Sequence, residues 1–312
     1  MLNGINTVTG ILFPVITFPY AARVLMPEGI GAINFLNSII GYIVLLTSLG
    51  IPMYAVKEVA KYRDDKAKRD QITVEIIALS FILCFLGYIA VWILAECVPQ
   101  IHKQSSLFYV LSLTIVFTTI GVNWFYQGIE DFKFITIRAI IIRTLSAAAL
   151  FIFVKDSTDL LIYAIIIVGS TVGNNIINFI YLKKHIIINK KTISKINIKK
   201  HIHPTLSTFL VTIAISLYYN LNPILIGFLS NESQVGYYTA GIKIIYIGTM
   251  LISSISNVLL PRCSNLIAND NMEEYNRIMT KSLGCSVECS NFYVLFIVVI
   301  FYISVKCPQQ SR

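Results

Sequence analysis

Four basic residues lie within or at the ends of long apolar runs, where a charged group is costly unless something pairs with it. Arg143 is about nine residues inside one run, roughly 13 Å from its nearer end, and Arg138 is about one turn inside the same run. Lys243 is about seven residues inside a later run, and Arg23 closes the first one. Cations at such depth indicate a binding site for an anion.

The acidic residues of the sequence do not supply that anion. Glu75 and Glu96 lie near the two ends of one apolar run, and no Asp or Glu is as deep as Arg143. The predicted partner is therefore a ligand with an anionic headgroup, such as phosphate or pyrophosphate. Two alternatives stay open: Arg138 could extend its guanidinium to the nearer headgroups, and Arg23 could anchor its helix at the interface.

Several asparagines also fall within the apolar runs. Asn34 and Asn37 lie about one helical turn apart in the second run, and Asn174 lies in the sixth. Their amides are candidates for contacts with a sugar, but amides in membrane helices also hydrogen-bond one helix to the next. For the asparagines as a set, helix packing is the preferred interpretation.

The elements that position these residues are predicted to be membrane-spanning helices. Hydrophobic residues make up 56 % of the 312 residues, charged residues only 13 %, and the mean hydropathy is +0.73. No run shows the sustained alternation of a strand, and each is long enough to cross a bilayer. We predict an all-α, polytopic transmembrane helix bundle of about nine spans. The spans are predicted at 4–22, 32–52, 72–98, 106–127, 134–154, 159–182, 204–229, 236–261 and 284–305.

The basic residues of the connecting loops predict the orientation. With the N-terminus in the cytoplasm, seventeen Lys and Arg residues lie on the cytoplasmic side, mostly in the loops 53–71 and 183–203. Only Arg23, Lys103 and Lys155 lie on the opposite side. Because positive loops are retained in the cytoplasm, we predict a multi-pass protein with a cytoplasmic N-terminus.

The loop 183–203 is the longest and most basic connector, and it predicts a boundary between two lobes. Residues 1–182 would form a six-span N-terminal lobe, 183–203 a basic cytoplasmic linker, and 204–312 a partial C-terminal lobe of about three spans. The lysines of the linker are suited to contact anionic membrane lipids. We expect its histidines to be solvated rather than metal ligands, since no Cys or carboxylate accompanies them. They are His185, His201 and His203.

Two segments echo each other weakly. Leu25 to Gly31 (LMPEGIG) opens the second span, and Leu229 to Gly236 (LSNESQVG) opens the eighth. Both place a Glu and then a Gly ahead of a helix, and internal repeats of this kind are common in secondary transporters.

Motifs of soluble-type catalysis are absent from the sequence. It contains no Gly-rich phosphate loop, no GxSxG and no HExxH, and the predicted outer loops are only a few residues long. We therefore expect a transporter rather than an enzyme, with no metal and no cofactor. The net charge of +9 resides in short loops and does not indicate nucleic-acid binding.

Four segments resemble polysaccharide biosynthesis flippases of the O-antigen type, and the resemblance covers about residues 1–283. The first segment, PYAARVLMPEGIG, is similar to the first-loop signature of that family. The second and third segments resemble the ends of its spans two and four, and the fourth resembles the start of its span eight. The segments are Pro19–Gly31, Gly50–Ala60 (GIPMYAVKEVA), Asn123–Phe132 (NWFYQGIEDF) and Val235–Ala240 (VGYYTA) with Lys243.

The resemblance implies a two-lobed transporter that works by alternating access around a cationic central cavity. It implies translocation of an undecaprenyl-pyrophosphate-linked oligosaccharide across the cell inner membrane, for O-antigen, capsule or exopolysaccharide synthesis. It also implies coupling to an H⁺ or Na⁺ gradient and contact with membrane lipids and other glycan-assembly proteins. Basic residues of spans one and eight line the cavity in related flippases, which corresponds to Arg23 and Lys243; Arg138 and Arg143 are added from their depth.

One departure from the family concerns length, because family members usually have twelve or more spans. The second lobe is therefore expected to be incomplete, as in a truncated or frameshifted copy or a short variant. Three other functions remain as alternatives: a multidrug exporter of the same superfamily, a membrane-embedded glycosyltransferase or polymerase, and a non-transporting assembly component.

Overall fold

The computed structural model describes residues 2–186, 196–246, 249, 272–282 and 284. All regular structure in these ranges is helical, and none of the described residues forms a strand. The chain divides into two compact units, Met1–Thr239 and Ala240–Arg312. In the second unit, residues 240–246 and 272–282 are helical.

In the described part of the first unit, nine helices account for most of the residues, and a further helix begins at residue 232. Among the described residues, five stretches are long and apolar enough to cross a membrane: Leu12–Lys61, Lys66–Cys97, Ser105–Gly128, Phe132–Phe153 and Leu160–Leu182. The helices are α1 Leu2–Ser48, α2 Ile51–Lys61, α3 Lys66–Cys97, α4 Pro99–His102, α5 Ser105–Ile120, α6 Asn123–Gly128, α7 Phe132–Phe153, α8 Leu160–Leu182 and α9 Lys199–Leu229.

The predicted class, a bundle of membrane-spanning helices, is confirmed. Large apolar side chains are exposed on its surface, among them Phe85 (70 % exposed) and Trp92 (64 % exposed) on α3. Such exposure suits contact with lipid rather than water. The count of nine spans and the two-lobe division stay predictions, and the predicted ninth span, 284–305, begins at the last described residue.

Two backbone breaks divide the first 61 residues. Met26 has φ 60° and ψ 169°, so α1 consists of two helices joined at a kink just before Pro27. This kink falls in the predicted gap between spans one and two. Leu49 and Gly50 also have positive φ, 43° and 70°, which ends α1; α2 then begins at Ile51 with Pro52 in its first turn.

Asp side chains begin two of the helices. Asp65 accepts a hydrogen bond from the Lys68 amide at the start of α3, and Asp131 accepts one from the Phe134 amide at the start of α7. These bonds satisfy amides that a helix leaves without an intrahelical partner. The Lys68 amide, which stabilises the ionised carboxyl, also lowers the pKa of Asp65.

The helix α9 packs closely along the second half of α1. The Thr208 hydroxyl donates to the Gly50 carbonyl at 3.1 Å, and the rings of Phe35 and Phe228 meet edge to face at 5.2 Å. Between these points, a Cβ on Gly41 would lie 3.4 Å from Asn220 Oδ1. The helix α9, which contains predicted span seven, therefore contacts predicted span two at three points along its length.

Candidate functional site

Arg143 borders a cavity of about 330 Å³ between α1, α7 and α8. Its Nη1 donates to Thr9 Oγ1 at 2.9 Å. Among the described residues that line this cavity, Arg143 carries the single charge, and five others present hydroxyl groups. The cavity can thus offer charge-assisted bonds to an anion and neutral bonds to a polyol. The hydroxyl-bearing residues are Thr17, Ser146, Tyr163, Ser170 and Thr171.

The local sequence explains how this cavity forms. Pro14 lies on the cavity wall within α1, where a proline removes a helical hydrogen bond and crowds the preceding turn. Two small residues, Gly10 and Ala147, line the cavity beside Arg143. These features leave room for a long guanidinium side chain inside the bundle.

Arg138 lies outside that cavity and is buried, with 7 % of its surface exposed. Its Nε donates to Asn174 Oδ1 at 3.1 Å, its Nη2 donates to Asn123 Oδ1 at 3.2 Å, and its guanidinium lies 5.3 Å from the Phe134 ring centre. These contacts hold the guanidinium beside α6 and α8, and the alternative in which Arg138 reaches the headgroups stays open. The structure brings Arg138 and Asn174 together, and here the asparagine joins α8 to α7.

The remaining predicted site residues are not among those that line the Arg143 cavity. Arg23 is exposed on α1 and does not line the Arg143 cavity. Asn34 donates to its own helix at the Ile30 carbonyl, 2.7 Å away, and Asn37 is exposed. Lys243 is half-buried in the second compact unit. Within the first unit, Arg23, Arg138 and Arg143 therefore do not line one cavity, and the joint role of the four cations stays a prediction.

Sequence reasoning missed a buried acid–histidine cluster. Glu75 on α3 is 0 % exposed, and its Oε2 is 2.9 Å from His201 Nε2 and 2.6 Å from Lys200 Nζ, both on α9. Its Oε1 accepts bonds from Gln71 Nε2 and from the Asn197 amide. These bonds replace the hydrogen bonds to water that the carboxylate loses on burial.

The histidine of this cluster is also enclosed. His201 is 1 % exposed, and its Nδ1 lies 2.7 Å from the Tyr54 hydroxyl on α2. The expectation of a solvated His201 is therefore wrong, because α9 begins at Lys199 and turns this side chain toward α2 and α3. The signal in the sequence was Glu75, the acid that lies just inside an otherwise apolar run.

The two echoing segments touch each other. A Cβ on Gly31 would overlap the Glu232 carbonyl oxygen and lie 2.9 Å from the Gly236 nitrogen. A Cβ on Gly236 would in turn overlap the Pro27 carbonyl oxygen. The backbones of the two segments therefore meet at distances that only glycine permits.

Glu232 in this contact has an altered acidity. The Gln104 side-chain amide donates to its carboxylate. Burial, followed by repulsion from Glu28, raises the pKa of Glu232, while Gln104 and Lys103 act in the opposite direction. A carboxyl at this contact therefore takes up a proton more readily than an exposed one.

The long apolar helices that enclose Arg138 and border the hydroxyl-lined cavity define a polytopic membrane protein. The sequence profile of the family described as "Polysaccharide biosynthesis protein" matches residues 2–267. The chain belongs to this family, as the resemblance in its motifs predicted.

Two curated relatives carry the same printed name, "Putative O-antigen transporter". The protein from Escherichia coli (strain K12) is 27 % identical over 274 residues, which cover 88 % of this chain and 66 % of the relative. The protein from Shigella dysenteriae is 23 % identical over 266 residues, which cover 82 % of this chain and 64 % of the relative. The chain thus spans about two thirds of the length of these relatives. No solved structure matches it.

Proposed function

We propose that the protein translocates an undecaprenyl-pyrophosphate-linked oligosaccharide across the cell inner membrane by alternating access. Its membership in the polysaccharide biosynthesis family and the name of its relatives support a transport role rather than an enzymatic one. We place its N-terminus in the cytoplasm, on the strength of the loop charges.

The observation that carries the proposal is the Arg143 cavity. A single cation among hydroxyl groups matches a substrate that joins an anionic pyrophosphate to a neutral sugar chain. Because Arg143 is in a low-dielectric environment, its bond to a phosphoryl oxygen is stronger than the same bond at the surface. Arg23 and Lys243 remain proposed contacts elsewhere along the path, with Asn34 and Asn37 as proposed sugar contacts.

The test is complementation of a strain that lacks its O-antigen flippase, with the chain as given and with Arg143→Gln. We expect the variant to lower export at least tenfold, because it removes the charge and keeps most of the side-chain length. Surface polysaccharide on gels measures export, and immunoblotting of membranes measures the amount of protein.

Arg63→Gln is the matched control. Arg63 forms an exposed pair with Glu130 at 2.9 Å and does not line the cavity. Its removal changes the protein's charge equally and should leave export unchanged. Full export by Arg143→Gln at normal protein level would contradict the role of Arg143, and absence of export by the parent chain would contradict the function at this length.

A further inference from the structure

A second cationic feature lies on the lateral face of the bundle, where α7 and α8 form a groove of about 460 Å³. Arg138 and Lys133 line it together with the aromatic rings of Phe134 and Tyr181. None of the residues that line the Arg143 cavity is among the residues of this groove. The groove is therefore a separate site.

The charges of the groove are predominantly positive. Lys133 is exposed at the start of α7, and Lys184 Nζ lies 5.4 Å from the ring centre of Tyr181. The acid in the lining, Asp131, already accepts the Phe134 amide at 3.1 Å as the cap of α7. The lining thus has two cations, Lys133 and Arg138, against one carboxylate that already caps a helix, and Lys184 lies beside the Tyr181 ring. This balance of charge favours an anionic occupant.

Arg138 adds an independent observation. The side chain is more than nine-tenths buried, and its Nη1 has no hydrogen-bond partner, although Nε and Nη2 are bonded to Asn174 and Asn123. A buried donor without a partner costs free energy comparable to a lost hydrogen bond. Nη1 itself is shielded from solvent, so Arg138 attracts an anion in the groove through its charge and does not require a direct bond from Nη1.

The rest of the groove is apolar. The rings of Phe134 and Tyr181 stack at 4.1 Å beside the cations. Aromatic side chains of membrane proteins are enriched where the protein meets lipid headgroups. Further along α7 and α8 the lining is formed by three isoleucines between 37 % and 51 % exposed. The cations at one end of the groove match the phosphate of a phospholipid, and the isoleucines at the other end match its acyl chains. The isoleucines are Ile137, Ile141 and Ile177.

We propose that this groove binds an anionic phospholipid of the leaflet nearest Lys133 and Lys184. The phosphate lies against Lys133 and Arg138, and an acyl chain lies along the isoleucines. Basic pockets between transmembrane helices are suited to such headgroups. The inference is independent of the transported substrate and does not require the proposed function.

The test measures binding of phosphatidylglycerol and of phosphatidylcholine with the same acyl chains to the purified full chain in detergent. Native mass spectrometry counts the lipids retained, and thermal unfolding measures the stabilisation that each lipid gives. We expect the parent chain to bind phosphatidylglycerol more tightly than phosphatidylcholine. Lys133→Gln should weaken phosphatidylglycerol binding about fivefold, since a basic residue near an anionic lipid contributes about that factor.

Lys103→Gln is the matched control, because Lys103 follows α4 and does not line the groove. It should bind both lipids as the parent does. Arg138→Gln is a second variant, and Lys133→Gln keeps the test valid if Arg138→Gln does not fold. Equal binding of the two lipids by the parent, or equal losses in Lys133→Gln and Lys103→Gln, would overturn the proposal. So would selective binding of a polyprenyl pyrophosphate without binding of phosphatidylglycerol.

Discussion

At the scale of single residues, Glu75 joins α3 to the segment 197–201, in which α9 begins. Its carboxylate is bonded to Gln71 on its own helix, to the Asn197 amide, and to Lys200 and His201 on α9. A buried carboxylate with fewer partners would be strongly disfavoured. The cluster therefore fixes the start of α9 against α2 and α3.

We predict that Glu75→Gln lowers the free energy of unfolding by about 2–3 kcal/mol. The variant keeps the shape of the side chain but removes the charge that Lys200 and His201 contact. The loss falls below that of a fully buried ion pair because Lys200 is 43 % exposed. Chemical denaturation of the purified protein measures it.

Glu130→Gln is the control for this prediction, since Glu130 pairs with Arg63 in an exposed position. It should change the stability little, as is usual for a surface ion pair. If Glu75→Gln were as stable as Glu130→Gln, the cluster would not be holding α9 in place.

A second residue-scale prediction concerns pH and Glu232. Its folded-state pKa is raised, so its contribution to stability is present below the unfolded value near 4.5 and is lost as pH rises through the folded value. Compared with Glu232→Gln, the parent should lose thermal stability as pH rises from about 4 toward neutrality. Unfolding temperatures of the two proteins over this range measure the difference, and parallel curves would contradict the prediction.

The same residues show what sequence could reveal about the site. Counting residues from the end of an apolar run singled out Arg138 and Arg143, and the guanidinium groups of both are bonded to side chains of other helices. It could not predict that they would border different cavities, because that depends on which helices pack beside α7. His201 was misplaced for a related reason: its burial depends on the tertiary contact with Glu75 and Tyr54.

At the scale of elements, hydropathy predicted most helices of the first unit within a few residues. The predicted spans 134–154 and 159–182 correspond to α7 Phe132–Phe153 and α8 Leu160–Leu182. Hydropathy did not predict the break between α5 and α6 inside the span 106–127, since both sides are apolar. The weak similarity between the segments Leu25 to Gly31 and Leu229 to Gly236 has a structural explanation, because the glycines let the two backbones pack together.

We predict that Gly31→Ala and Gly236→Ala each destabilise the protein by about 1–3 kcal/mol or more, as overpacking does. In each case the new methyl group would overlap a backbone carbonyl oxygen of the opposite segment, and backbone moves less readily than a side chain. Thermal unfolding of the purified variants measures the effect.

Gly169→Ala is the matched control, because a Cβ at Gly169 on α8 would have no neighbour within 4 Å. An alanine in a helix interior is favoured over glycine, so this variant should be as stable as the parent or slightly more stable. Equal unfolding temperatures for all three variants would show that the two segments do not pack as described.

At the scale of the whole molecule, the distribution of charged residues among the loops predicts which loops face the cytoplasm. Asp64, in the loop between α2 and α3, and Lys103, after α4, lie at opposite ends of α3. With the N-terminus in the cytoplasm, Asp64 faces the cytoplasm and Lys103 faces the opposite side. We therefore predict that a membrane-impermeant maleimide labels Lys103→Cys in spheroplasts and spares Asp64→Cys, in a background without the native cysteines. In inverted membrane vesicles, the reagent should label Asp64→Cys and spare Lys103→Cys. If each preparation instead labels the other variant, the topology is inverted, and Lys133 and Lys184 lie at the outer leaflet.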